Sequence, residues 1–204
     1  MAITRERFEQ GMRYEAYKAQ MTRNRERLEE NEQTVVFVDE DLQFFKNLSQ
    51  PLNVLVITED WCGDAIANVP LLGRLAAESG KLNLRVFLRD QNPDIMDQYF
   101  NHGEHRSIPV FVFFDQDFHE LAHWIERPAA VSEMQGKMVG DLFATDPALQ
   151  GLSVEASPAQ LPEAARMRLM QALMAFRAQT RPTADREVVR ELRELVERSR
   201  TLPK

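Results

Sequence analysis

A single cysteine, Cys62, is the whole thiol inventory of this 204-residue chain. That scarcity excludes an intramolecular disulfide framework and fits a reducing compartment, with the cytoplasm as the default expectation. A basic surplus is missing too, since the formal net charge is −7. Little is then available to neutralise phosphates, so neither nucleic-acid binding nor docking on an acidic membrane surface is expected. No apolar run approaches the ~20 residues that span a bilayer. The opening Met1-Ala2-Ile3-Thr4-Arg5-Glu6-Arg7 lacks the apolar core of a signal peptide. Internal repeats and low-complexity tracts are absent as well.

What is present reads as one fair-sized globular domain with extensions, at 44% hydrophobic and 28% charged residues. Residues 4–31 are charged, with Phe8, Met12, Tyr14, Tyr17 and Met21 able to share an apolar face, and predict one or two amphipathic helices. Asp39 is placed to cap a short helix that ends near Ser49-Gln50-Pro51. Leu52–Ile57 is a continuous apolar run, as in a strand buried on both faces. Cys62–Ser79 has helical spacing with Pro70 inside, where a kink is expected, and Gly80 ends it. A second strand is predicted over Leu82–Leu88 and a short helix over Pro93–Phe100. Two more strands follow at Val110–Phe114 and Leu121–Ile125. After Pro128 the chain is helical again, then a linker spans Asp146–Pro158. Two last helices are predicted at about 161–180 and 184–199, the second capped by Thr183. Strand, helix and strand, then a helix and a hairpin, imply a mixed sheet with helices on its faces.

The position of Cys62 gives it meaning. It follows the strand Val54-Leu55-Val56-Ile57 and opens a helix. Unpaired backbone N–H groups and the positive end of the helix dipole stabilise a thiolate at such a place. Asp60 and Asp64, on either side, oppose this by disfavouring a second negative charge. The direction of the net shift is left open. A buried, inert cysteine kept for packing is the competing reading.

Val54–Ile57, Trp61-Cys62-Gly63 and Ser107-Ile108-Pro109 occur in an order that resembles the thioredoxin-like superfamily. The match extends to a group of bacterial thioredoxin-family proteins with a Glu-Asp-Trp-Cys-Gly-Asp signature. Their Phe-Leu-Arg-Asp and Arg-Ser-Ile-Pro segments are similar to Phe87–Asp90 and Arg106–Pro109. The resemblance covers roughly residues 35–145 and implies an α/β thioredoxin-like fold there. A helical N-terminal arm (1–34) and a helical C-terminal extension (146–204) would flank it. It implies a cis Ile108–Pro109 bond beside Cys62, with the Ile108 backbone as the edge that pairs with an incoming peptide. Trp61, Gly63 and Asp64 would shape the site, and Arg106 would favour the thiolate.

The departures from that family restrict the chemistry. Asp64 and Ala65 stand where a dithiol thioredoxin has proline and a second cysteine, so no internal thiol can resolve a mixed disulfide. The family's buried acid falls on Val56. Monothiol exchange survives, with Cys62 attacking a mixed disulfide and a second small thiol releasing it. Thiol or disulfide substrates are then the partners, with no cofactor. A lone thiol would also allow two chains to join. The alternative is a non-catalytic module whose groove between Trp61 and Pro109 binds a peptide or small thiol.

Other polar signals read more plainly. Asp60 and Asp64 fit capping and dipole complementation at a helix start better than a metal or acid–base pair. His119-Glu120-Leu121-Ala122-His123 matches the zinc-protease string HExxH, which requires a helix. On the expected strand its histidines would lie roughly 13 Å apart, so no metal site is assigned. His102 and His105 read as exposed loop residues, and Arg89 with Asp90 as an exposed pair or part of the site lining.

Overall fold

The computed structural model describes residues 3–201. They form two compact units. One runs to Arg127 and resumes at Asp185; the other is Pro128–Ala184.

The first unit is built on strands β1 (Leu52–Thr58), β2 (Leu82–Leu88), β3 (Val110–Phe114) and β4 (Glu120–Ile125). Their order across the sheet is β2-β1-β3-β4. β1 runs parallel to β2, and the pairs β1–β3 and β3–β4 are antiparallel. This is the mixed sheet that the alternation of patterns implies. Every residue of β1 from Val54 to Ile57 is fully buried. Val54 and Val56 enter one core with Phe111, Phe113 and Trp124, while Leu55 and Ile57 enter a second with Val110, Val112 and Phe114. Burial on both faces explains why the strand reads as an unbroken apolar run. Each of those side chains contributes about 1.5–3 kcal/mol relative to exposure.

The parallel β1–β2 pair requires a crossover, supplied by helix α5 (Gly63–Ser79). Gly80 ends it in the left-handed conformation at φ 64°. The helix runs on through Pro70, which has no N–H to offer the carbonyl of Ile66. Asn31 Nδ2 donates to that carbonyl at 2.8 Å instead.

Ahead of the sheet lie α1 (Arg5–Glu9), α2 (Tyr14–Gln20), α3 (Arg25–Thr34) and α4 (Asp39–Lys46). The one or two helices expected over residues 4–31 are therefore three, and both breaks have tertiary causes. Between α1 and α2 the backbone of Met12 exchanges hydrogen bonds with Val86 on the outer strand β2, at 2.9 and 2.8 Å. A Cβ on Gly11 would lie 2.5 Å from the Phe87 ring, so only glycine lets the chain approach this closely. Between α2 and α3 the turn is held by Asp60. Asp39 is the first residue of α4 rather than its cap; Val38 occupies that position, and the acidic first turn complements the dipole.

Helix α6 is confined to Pro93–Met96, shorter than the expected Pro93–Phe100. From Tyr99 on, the chain turns into the Asn101–His105 bridge. Helix α7 spans Ala129–Thr145, and α8 spans Glu163–Thr201. The two expected terminal helices are one, and Thr183 is not a cap: Pro182 deprives the helix of one donor without ending it.

Within the first unit, Val188, Val189, Leu192 and Val196 complete the core that Tyr17, Leu42 and Trp124 begin. Glu191 Oε2 accepts from the Trp124 indole at 2.7 Å, and Arg193 pairs with Glu40 and Asp41. The second unit has its own small core of Phe143, Leu149, Leu161, Ala165 and Leu169. Leu149 is fully buried, so the segment expected to be a linker is partly packed. No helix among the described residues is long and apolar enough to cross a membrane.

Candidate functional site

β1 delivers the chain to Thr58, and four residues later Cys62 occupies the position just before the first residue of α5. Its side chain makes no capping hydrogen bond, so the thiol is not consumed in closing the helix. The Sγ atom lies instead 3.4 Å from the carbonyl oxygen of Ile108. Ile108 is buried, and the Ile108–Pro109 peptide is cis. The Pro109 carbonyl accepts from Glu126 N at 2.7 Å, which ties this loop to the end of β4. Cys62, Ile108 and Pro109, taken from segments almost fifty residues apart, are thus adjacent.

Trp61 is 43% exposed, unusual for so large an apolar side chain. The Arg89 guanidinium lies 4.7 Å from the centre of its ring. Arg89 also pairs with Asp90 at 2.8 Å and donates to the Arg106 carbonyl at 3.3 Å. The Arg106 guanidinium itself pairs with Asp97 at 2.6 Å. Arg89 therefore keeps the expected pair with Asp90 and in addition joins the Trp61 ring to the backbone of the 106–109 loop, a link that the sequence does not reveal.

Gly63 begins α5 and Asp64 lies in its first turn. Asp64 is 9% exposed and pairs with Arg127 at 3.1 Å. Arg127 also holds Glu126, and Glu126 accepts from Asn101 Nδ2 at 2.9 Å. The acid next to the thiol is thereby balanced by a cation from beyond β4, which local sequence cannot predict.

Asp60 is committed to the N-terminal arm. Its Oδ2 accepts from Thr22 N, Thr22 Oγ1 and Arg23 N at 2.8, 3.1 and 3.0 Å. Asn24 Nδ2 donates to its carbonyl at 2.8 Å. Asp60 is thus a clamp for the α2–α3 turn rather than a cap of α5. Glu59 is 8% exposed; burial raises its pKa above the ordinary carboxylate value, opposed by the hydrogen bond from Asp90 N.

Two of the histidines are engaged elsewhere. His119 Nδ1 contacts Asp115 at 3.1 Å, and His123 Nδ1 contacts Glu120 at 2.8 Å. His123 lies on a strand, where the geometry of a helical HExxH site does not arise. Asp115, Asp117 and His119 converge in the β3–β4 turn, where Asp115 also caps backbone N–H groups. Loop residue His102 has φ 51°. A cavity of about 260 Å³, lined by Leu48, Leu52, Leu121 and Arg200 among others, opens at the start of β1, at the other end of the strand from Cys62.

No curated protein matches the sequence. Among solved structures, a Pseudomonas aeruginosa protein of unknown function superposes with a TM-score of 0.60 at 18% identity, covering 86% of this chain and 99% of its own. An HIV epitope-scaffold does so with a TM-score of 0.56 at 16% identity, covering 82% of this chain and 95% of its own. At such identities the likeness speaks for the fold alone. A family model described as thioredoxin matches residues 11–141, well over half of the chain. Its span takes in α2, the clamp on Asp60, the helix opened by Cys62 and the loop at Pro109, and this chain belongs to the thioredoxin family.

Proposed function

We propose that this protein is a monothiol thiol–disulfide oxidoreductase of a reducing compartment, acting through Cys62 on mixed disulfides between a protein and a low-molecular-weight thiol. The observation that carries this reading is the placement of Cys62. Its thiol stands at the N-terminus of a 17-residue helix, does no capping, and faces the Ile108 carbonyl at 3.4 Å. The helix N-terminus favours the thiolate.

The chemistry then balances in two exchanges. The Cys62 thiolate attacks the small-thiol sulfur of the mixed disulfide, a new S–S bond forms between them as the old one breaks, and the protein substrate leaves as a thiolate that takes a proton from solvent. A second small thiol, as its thiolate, attacks the Cys62 mixed disulfide. It leaves as the oxidised small-thiol disulfide and returns Cys62 to its reduced form. Ala65 cannot perform this second attack, so the external thiol is obligatory. Trp61 and the Ile108–Pro109 backbone would receive the substrate on either side of the sulfur.

The test is deglutathionylation of a peptide by the wild-type chain and Cys62→Ala, with glutathione as reductant. Turnover that is lost in the variant, with the fold retained, is the expected result. Equal rates in both would overturn the proposal. Binding of the peptide by both chains without turnover would favour a non-catalytic module, the reading that the half-exposed Trp61 also permits.

A further inference from the structure

Trp61 immediately precedes Cys62, yet it belongs to neither core of the first unit and is half-exposed. Packing therefore does little to hold its ring. Other rings beneath an arginine are partly or fully buried: Phe118 under Arg5, Phe87 under Arg7 and Phe8 under Arg85. At Trp61 the cation is the main support of the ring, with the Arg89 guanidinium 4.7 Å from its centre. Every nitrogen of that guanidinium is engaged. Nε and Nη2 pair with Asp90 Oδ1 at 2.8 Å, and Nη1 donates to the Arg106 carbonyl at 3.3 Å. The turn that carries Arg89 is itself anchored. The buried Glu59 carboxylate accepts from Asp90 N at 2.9 Å, and Asn92 Nδ2 donates to the Leu88 carbonyl at 2.8 Å. A fixed guanidinium is thus stacked on Trp61 and bonded to the loop that carries the Ile108–Pro109 peptide, whose Ile108 carbonyl lies 3.4 Å from the Cys62 sulfur.

We propose that Arg89 is the positioning residue of the substrate groove. Its planar guanidinium holds the Trp61 ring as one wall, at a set distance from the Ile108–Pro109 backbone that forms the other, so that a disulfide is gripped between them at Cys62. The inference rests on the reading of Cys62 as the thiol that meets a disulfide. Arg89 acts through Trp61 and takes no part in the exchange of sulfur bonds. A lysine in its place keeps the charge but not the planar fork that stacks, pairs and donates at once.

The experiment compares the full wild-type chain with Arg89→Lys and Arg5→Lys. Nitrogen-15 relaxation gives an order parameter for the indole N–H of each of the 2 tryptophans, Trp61 and Trp124. In Arg89→Lys the Trp61 value is expected to fall from about 0.85 to below about 0.6. Trp124, buried and hydrogen-bonded to Glu191, should stay ordered. The rate at which Cys62 forms a mixed disulfide with oxidised glutathione, followed by mass spectrometry in a single turnover, should fall about fivefold, the fold-change of an ordinary cation–π contact. Alkylation by iodoacetamide, which needs no groove, should keep its rate. Arg5→Lys removes a guanidinium stacked at the same 4.7 Å over Phe118, in the β3–β4 turn, and should change none of these. A Trp61 that is mobile in wild type or stays ordered in Arg89→Lys would overturn the proposal, as would an unchanged exchange rate with the ring released. Equal slowing of exchange and alkylation would also overturn it, since Arg89 would then act on the thiolate and not on the groove. A wild-type thiol that reacts with neither reagent would refute both this inference and the oxidoreductase reading. A chain that shows the expected Arg89 dependence but turns over no glutathionylated peptide would refute the oxidoreductase reading alone and leave this inference standing.

Discussion

The Arg127 guanidinium lies 3.1 Å from the Asp64 carboxylate, two residues beyond the only thiol. Both side chains are largely buried, at 15% and 13% exposure. Removing one partner would strand the other in a poorly solvated place. Arg127→Met should therefore cost about 1–3 kcal/mol in urea unfolding. It should also move Cys62 alkylation to higher pH, because an unbalanced carboxylate disfavours a second negative charge. A variant as stable as wild type with an unchanged alkylation profile would show the pair to be inert.

Asp60 accepts three hydrogen bonds from the α2–α3 turn through one oxygen. Hydrogen bonds to charged groups are worth about 1.5–3 kcal/mol each, but shared geometry makes them less than additive. Asp60→Ala should lower stability by about 2 kcal/mol. Amide exchange should accelerate first at Thr22 and Arg23, and uniform acceleration across the chain would argue against a local clamp.

Asn31 and Pro70 are coupled through the Ile66 carbonyl. Asn31→Ala should cost about 1–2 kcal/mol, since it orphans a buried acceptor. In a Pro70→Ala background the restored N–H can serve that carbonyl, and the cost should fall by at least half. A double-mutant cycle with no coupling energy would mean the two residues act independently.

Glu120 and His123 form a pH-dependent pair on β4. The hydrogen bond from His123 lowers the Glu120 pKa below its usual 4.5, and the same bond raises the His123 pKa above its usual 6.5. The carboxylate's contribution is present above its unfolded pKa and is lost as pH falls through the folded one. The histidine's contribution is present below its unfolded pKa and is lost as pH rises through the folded one. Both side chains are more than a third exposed, so the pair is worth only a few tenths of a kcal/mol, roughly the scale of surface pairs. His123→Gln should destabilise the chain more at pH 5.5 than at pH 9, measured as urea midpoints. The reverse ordering would contradict the assignment.

Local signals in this sequence translate into structure without help. Val54–Ile57 and Val110–Phe114 are strands because their apolar runs are buried by covering layers, and Gly80 stops α5 because it adopts the left-handed conformation. The strand character of Glu120–Ile125, which separates His119 and His123, follows from the hairpin. Cys62 could be placed at a helix start from its neighbours alone.

What stays illegible depends on partners distant in sequence. Nothing in residues 10–24 announces that Val86 and Asp60 divide the arm into separate helices. Thr183 reads as a cap only if a helix starts after it, and α8 runs through that point unbroken. Arg127 carries no motif, and packing alone brings it beside Asp64.

The first core draws on residues from Tyr17 to Trp124 and then on Val188 to Val196, with the whole second unit synthesised in between. A chain emerging from a ribosome at about 5–20 residues per second completes its N-terminal portion seconds before that last stretch is available. During this interval the surfaces of Leu42, Trp124 and their neighbours lack their final cover, so the vectorial order of translation, and not contact strength alone, sets when this protein becomes fully native.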